Sequence, residues 1–383
     1  MKIGFAIDSF RAVECGEEII PHGGIGVYLQ ELLHALLSLE SRNEYFLIRA
    51  NPGPVPLKHP RVHAFVFPKT ASHHAIRHSG LWRDWIVRKH RLDLMHEHHP
   101  DQPAFRMSRI PRIVTVHDLI PLIFPDKFPL RFRLIFKAYC RRNLREAEAI
   151  VCVSEHTRSD LLRYFPQWAG KSCVIPIAGQ TLNRCGQPDA APLSALGIRS
   201  PYLLNVSTIE PRKNHAALLE AFALLKGKGY GHQLVCVGAL GWKTRPILDH
   251  PVLKTHAGDI VLLGQVERSV LKRLYEGAEA MVYPTLYEGF GLPPLEAMEF
   301  GTSVIASRNS SLPEILGDAA CYVSATPDGR ELAEAIEEIL RNGARRKEMA
   351  RLSRVQWRRY TWEQTARQTL RLYEAVASKR KKP

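Results

Sequence analysis

Glu288 and Glu296 stand eight positions apart in YPTLYEGFGLPPLEAMEFGTSVIAS (283–307), on either side of a turn rich in glycine and proline. Carboxylates are costly to bury unpaired. Either both face water, or both meet a partner that the chain does not supply. The turn EGFGLPP brings backbone amides near the start of a helix, and glycine lets a ligand approach the backbone closely. A carboxylate pair there can accept hydrogen bonds from neutral hydroxyls, as polyols and ribose require. The structural alternative makes Glu296 a helix-dipole partner and leaves Glu288 solvated.

A second group lies in NVSTIEPRKNHAALLEAF (205–222), where a strand ends, Pro211 begins a turn, and Arg212, Lys213 and Asn214 open a helix. Two cations in a helix's first turn oppose its macrodipole, so without a ligand the chain gains nothing from them there. A phosphate would satisfy both. Arginine offers it a planar fork and lysine a point charge; the alternative is an exposed basic turn. The third group is PHGGIGVYLQELL (21–33). Gly23, Gly24 and Gly26 precede a helix whose positive end could face an anion. A dinucleotide fingerprint needs glycine at 29, which is leucine, and a tight turn without function reads equally well.

These groups need a scaffold. Short apolar runs alternate with amphipathic stretches: KIGFAID, GVYLQELLHALLSL, EYFLIR, RVHAFVF, RIVTVHD, AIVCVS and KSCVIPI in the first half. YLLNVST, HQLVCVG, DIVLLG, AMVYPT and TSVIAS follow in the second, with helical patterns between. The alternation predicts an α/β protein of two doubly wound parallel-sheet domains. Residues 1–178 form the first domain, 179–200 a linker, 201–355 the second domain, and 356–383 a helix crossing back to the first with a basic tail. Ligands bind beyond the carboxyl ends of such strands, here in a cleft between the domains.

Composition narrows the class. At 383 residues the chain exceeds one core, and 45% hydrophobic with 24% charged residues is ordinary for a globular protein. A net charge of +15 and a pI of about 9.6 favour an anionic partner (nucleic acid, a membrane surface or a phosphorylated substrate) or a solvated basic surface. Seven cysteines without a C-x-x-C pair argue for reduced thiols in a cytoplasm. The first residues read as a strand with no signal-peptide core, and no apolar run is long enough to span a membrane.

Together the motifs resemble the retaining glycosyltransferases of family four, which have the GT-B fold. The E-x7-E pattern EGFGLPPLE is the most specific element, with EPRKN and GGIGVY in the expected order and His117 of TVHD at the expected strand end. TVHDLIPLIFP and STIEPRKN look closest to mannosyltransferase-like members that build bacterial surface polysaccharides. The resemblance implies that Arg212 and Lys213 neutralise the diphosphate of a nucleotide-sugar donor, GDP-mannose favoured over a UDP-sugar. Glu296 would hold the ribose. Glu288, with the amides around Phe290 and Gly291, would hold hydroxyls of the hexose. The amide of Leu292 and the Gly24–Gly26 loop would sit near the phosphates, and Thr208 would belong to the same donor site. His117 would contact the sugar at the reacting centre, and Gln265 and Val266 of LLGQVE would lie against the base. No cofactor is implied. No D-x-D motif occurs, so the fixed cations would serve without a metal. On this reading Glu288→Gln and Glu296→Gln cut transfer and leave stability nearly unchanged.

Two basic, aromatic stretches, 73–91 and 129–145, with the tail SKRKKP, suggest an enzyme peripheral on the cytoplasmic face of a membrane rich in anionic lipid. It would act on a saccharide or lipid-linked saccharide. The rival readings are a sugar-nucleotide epimerase on the same fold and a basic nucleic-acid-binding protein, but no recognised nucleic-acid motif is present.

Overall fold

A computed structural model describes residues 1–7, 12–15, 18–21, 23–39, 41–49, 55–66, 81–100, 110–180, 182 and 192–379. Residues 73–80, most of 181–191 and the tail beyond Lys379 lie outside the described residues. The chain divides into two compact units. One comprises Met1–Ile177 and the chain from Thr361 on, and the other Ala178–Tyr360.

In the first unit seven strands form one parallel sheet. They are β1 (Lys2–Ala6), β4 (Glu44–Arg49), β5 (Val62–Val66), β6 (Leu94–Glu97), β7 (Arg112–Val116), β8 (Ala149–Cys152) and β9 (Ser172–Val174), in spatial order β5-β4-β1-β6-β7-β8-β9. A separate antiparallel pair, β2 (Ala12–Cys15) with β3 (Glu18–Pro21), precedes helix α1 (Gly23–Ser38). Three longer helices, α2 (Leu81–His90), α3 (Leu130–Glu146) and α4 (Glu155–Tyr164), follow among the described residues of this part of the chain. Ser154 starts α4 by accepting the Thr157 amide at 3.0 Å, an N-cap that satisfies one otherwise orphaned donor.

Strand β6 departs from the pattern the sequence suggests. Its LMHE is short and half polar, so apolar patterning does not announce it, yet it lies beside β1 at the sheet's centre with all four residues buried. Its polar groups are matched within the unit. His96 meets Thr115 Oγ1 at 2.7 Å through Nε2 and Tyr373 OH at 2.6 Å through Nδ1, and Glu97 pairs with Arg112. Tyr373 belongs to the last helix, Trp362–Lys379, whose Trp362 also approaches Tyr28 of α1, with ring centroids 6.1 Å apart.

The second unit holds a six-stranded parallel sheet: β10 (Tyr202–Val206), β11 (Gln233–Val237), β12 (Ile260–Gly264), β13 (Ala280–Tyr283), β14 (Ser303–Ser307) and β15 (Ala320–Val323), in order β12-β11-β10-β13-β14-β15. Its principal helices are α5 (His215–Gly227), α6 (Arg268–Gly277), α7 (Leu292–Glu299), α8 (Gly329–Arg341) and α9 (Gly343–Trp357), so the last helix of the chain is α10. Leu218, Phe222, Leu332, Ile336 and Ile339 pack with Leu203, Leu234, Val282 and Ile305 of the sheet in one core. Strands buried on both faces explain the near-continuous apolar runs. Strand order reverses between β10 and β13, so the segments leaving those two neighbours diverge and open a crevice at their carboxyl ends.

Candidate active site

That crevice gathers the cations and the first carboxylate. Beyond β10, Pro211–Lys213 form one 3-10 turn, and Asn214 in the left-handed region (φ 56°) separates it from α5. Arg212 and Lys213 therefore precede the helix instead of occupying its first turn, which corrects the sequence-based placement. Beyond β13, residues 284–291 carry Glu288 back toward them. Lys213 Nζ donates to Glu288 Oε1 at 2.5 Å and to Tyr283 OH at 2.8 Å. Arg212 Nη1 donates to the same carboxylate oxygen at 3.0 Å, and Tyr283 OH and Thr285 Oγ1 donate to it at 3.1 and 2.8 Å.

The partner of Glu288 is thus in the chain, and the choice between water and an external ligand was too narrow. Burial alone would raise its pKa, but Lys213 and Arg212 outweigh that and hold the carboxyl at about 2. Burial, then the neighbouring Arg212, lowers the Lys213 pKa, while Glu288 opposes the shift. Neutralising Glu288 would strand a buried ammonium, so the expectation that Glu288→Gln leaves stability untouched does not hold for this geometry. Oε2 of Glu288 has no hydrogen-bond partner among the described residues, and Lys213 commits two of its three ammonium protons. One oxygen fixes the cations, then, while the other oxygen and one N–H are available to a ligand.

The backbone around Glu288 is clamped from the segment that follows β14. Its amide donates to Ser310 Oγ at 2.9 Å, and Ser311 Oγ lies 3.0 and 2.9 Å from the carbonyls of Glu288 and Phe290. Gly291 starts α7 at φ 97°, and a Cβ there would come within 2.6 Å of Leu312 Cδ2, so only glycine fits. Pro293 and Pro294 lack amides, leaving those of Gly291 and Leu292 as the donors at the helix start. Phe290 is buried against Tyr360, with centroids 5.6 Å apart.

Glu296, on α7, is also met within the chain: Oε1 accepts the Gln180 amide at 3.1 Å and Oε2 the Tyr275 hydroxyl at 2.9 Å. Thr208 is half-buried after β10, while exposed Gln265 and half-buried Val266 follow β12. All lie at the carboxyl ends of one sheet.

The remaining candidates belong to the other unit. Gly24 and Gly26 lie within the first turns of α1, not in a loop before it. His117 follows β7, and its ring meets the Tyr28 ring edge-on at 4.7 Å. Burial, with nearby His99 and His96, lowers its pKa to about 3, and its Nε2 has no hydrogen-bond partner.

The family comparisons agree with this architecture. Residues 22–178 match the model described as Glycosyltransferase Family 4, and residues 194–356 that described as Glycosyl transferases group 1. The chain is 30% identical over 305 residues to O-antigen chain mannosyltransferase B of Escherichia coli, covering 76% of this chain and 77% of that protein. The chain belongs to the GT-B glycosyltransferases.

This glycosyltransferase is also 27% identical over 319 residues to the phosphatidyl-myo-inositol mannosyltransferase of Mycobacterium leprae, covering 77% and 76% of the two chains. Among solved structures it resembles sucrose-phosphate synthase of Thermosynechococcus elongatus, with a TM-score of 0.77 at 21% identity over 98% of this chain and 99% of that one. Both parallel sheets are those of the GT-B fold.

Sequence reasoning missed several residues around the candidate site: Glu210, Tyr275, Tyr283, Thr285 and Gln180. Glu210 stands two positions from Arg212 in EPRKN, a spacing that could have flagged it; the others meet their partners only through the fold. It also missed His98, a fully buried ring among Phe5, Tyr28 and His96, with neither nitrogen hydrogen-bonded.

Burial holds His96 at about 3 and His98 well below its ordinary value. The folded form therefore binds fewer protons than the unfolded one below pH 6.5. The stability from each histidine is complete above 6.5 and drains as pH falls toward the folded pKa, by at most about 1.4 kcal/mol per pH unit. His98→Phe keeps a ring and removes two unpaired polar atoms. It should melt at or above wild type at pH 7 and lose less melting temperature between pH 7.5 and 5. A melting temperature well below wild type at pH 7 would contradict this account of His98.

Proposed function

We propose that the protein is a retaining, family-four hexosyltransferase that moves mannose from GDP-mannose to a saccharide or lipid-linked saccharide in polysaccharide synthesis, a UDP-sugar being the other candidate donor. The observation that carries this reading is the cluster of half-buried Arg212 with buried Lys213 and Glu288 at the β10/β13 switch point. The uncommitted Lys213 N–H, Arg212 and the amides of Gly291 and Leu292 receive the diphosphate. Glu288 Oε2 accepts hexose hydroxyls, Glu296 faces the ribose, and Gln265 and Val266 lie against the base.

The bond from the anomeric carbon to the phosphate oxygen breaks as the acceptor oxygen attacks from the same face. Negative charge grows on the leaving diphosphate, where fixed cations and amides stabilise it. A leaving phosphate oxygen takes the acceptor's proton, so no separate base is needed, and with both cations in place no metal is required. Purified enzyme offered a panel of GDP-, UDP- and ADP-sugars should hydrolyse or transfer from GDP-mannose, as read by mass spectrometry. Lys213→Ala should lower kcat by about 10²–10³, the scale of one lost oxyanion donor. A loss confined to donor KM would contradict the catalytic role, and activity lost to EDTA and restored by Mg²⁺ would contradict metal-free chemistry.

We further propose a peripheral position on the cytoplasmic face of the membrane, through α3. Among the described residues no helix is long and apolar enough to cross a membrane. Helix α3 buries Phe136, Cys140, Asn143 and Leu144 but leaves Leu130, Phe132, Leu134 and Ile135 exposed, Leu130 at 64%, beside exposed Arg131, Lys137 and Arg141. Apolar side chains among cations suit an anionic lipid surface, where each basic residue contributes about 1 kcal/mol. In α2, exposed Trp85 carries Lys89 over its ring at 4.4 Å. Co-sedimentation with vesicles should rise with anionic lipid, fall with salt, and weaken when Arg131, Arg133 and Lys137 become serine. Equal indifference to anionic and neutral vesicles at low salt would remove the membrane role.

A further inference from the structure

Arg212 is fully engaged by its own chain on the edge that a phosphate would use. Its Nε donates to Glu210 Oε1 at 3.0 Å and its Nη2 lies 2.7 Å from the same oxygen in an ion pair, while Nη1 donates to the Tyr287 carbonyl at 2.6 Å and to Glu288. The Nε–Nη2 edge is one of the forks with which arginine takes an oxyanion in two parallel bonds. Here a carboxylate oxygen already sits in it.

The charges of the cluster also cancel. Arg212 and Lys213 supply two positive charges, and Glu210 and Glu288 two negative ones. A diphosphate approaching this quartet meets no net positive charge until a carboxylate yields its place. Glu288 cannot yield readily: four donors converge on its Oε1, and its backbone is clamped by Ser310 and Ser311. The Glu210 side chain, by contrast, is hydrogen-bonded only to Arg212 among the described residues. Its other oxygen lies over Gly241, where a Cβ would stand 3.0 Å from Oε2.

We propose that Glu210 is a built-in competitor for the diphosphate: it occupies the Nε–Nη2 edge of Arg212 in the empty enzyme, yields it to the incoming phosphate, and retakes it as the nucleoside diphosphate leaves. This rests on the phosphate-site reading above and adds the element that limits product affinity. A carboxylate beside a bound diphosphate repels it, and one that has lost its arginine has every reason to reclaim it. Glu210 thus trades ground-state affinity for product release.

A purely structural role makes the opposite forecast. If Glu210 only orients Arg212, removing its charge loosens the guanidinium and weakens anion binding. Calorimetric titration of the full-length protein with GDP, UDP and inorganic pyrophosphate separates the two. Glu210→Gln keeps the side chain's shape and should tighten whichever of these probes wild type binds, by about tenfold, with slower dissociation. Glu210→Ala should shift affinity in the same direction. Glu334→Gln, an exposed carboxylate on α8, should leave affinity unchanged and so exclude a general effect of net charge. Thermal melting confirms that each variant is folded. Unchanged or weaker binding in both folded Glu210 variants overturns the role of Glu210 while leaving the phosphate site intact. A wild type that binds none of the three probes overturns the phosphate site and this role with it.

Discussion

A lysine ammonium and a glutamate carboxylate, both almost withdrawn from water, meet at 2.5 Å beyond the ends of two neighbouring strands. Neither charge would be tolerated there alone. Taking an ion out of water costs several kcal/mol even after relaxation, and only excellent geometry with extra hydrogen bonds offsets it. Much of the second unit supplies that geometry. The parallel pairing of β10 with β13 sets the two segments side by side. The left-handed Asn214 lets the chain leave Lys213 and enter α5 at once, and the left-handed Gly291 does the same between the Glu288 loop and α7. Tyr283 and Thr285 complete the hydrogen bonds that the pair lacks.

The same arrangement is what phosphate chemistry requires. Cations held by a rigid shell need no reorganisation when charge develops on a leaving group, which is where electrostatic catalysis gains most. Splitting Glu288 between its two oxygens suits the proposed role, since the anchoring oxygen can stay committed while the other remains open to a ligand. The cost is local. A net-neutral quartet attracts an anion weakly, and Glu210 is the member with the least else to hold it.

The alternation of apolar runs with amphipathic stretches makes the two parallel α/β sheets legible in the amino-acid sequence, because strands covered on both faces must be apolar throughout. The charged residue types of EPRKN and EGFGLPPLE likewise mark where the fold gathers Arg212, Lys213 and Glu288. What the sequence hides are pairings made by topology. Nothing local joins Lys213 to Glu288 across 75 positions, or Glu296 to Tyr275 and Gln180. Strand β6 is hidden for a related reason. Its His96 and Glu97 look like surface residues until Thr115, Tyr373 and Arg112 arrive from distant segments to satisfy them. Helix α3 shows its cations and apolar residues in sequence, but only the fold separates Phe136 and Cys140, which face the core, from Leu130 and Leu134, which face out.

The central claim is that Lys213 and Glu288 are one energetic unit on which the site is built. A double-mutant cycle in chemical denaturation tests it most directly, with Lys213→Met, Glu288→Gln and the two combined. Each single change strands a buried partner, whereas the double change removes both charges together. The double variant should therefore lose less stability than the sum of the singles, by about 2 kcal/mol. Losses that add to within about 0.5 kcal/mol would mean that the two residues act independently, and would contradict the account.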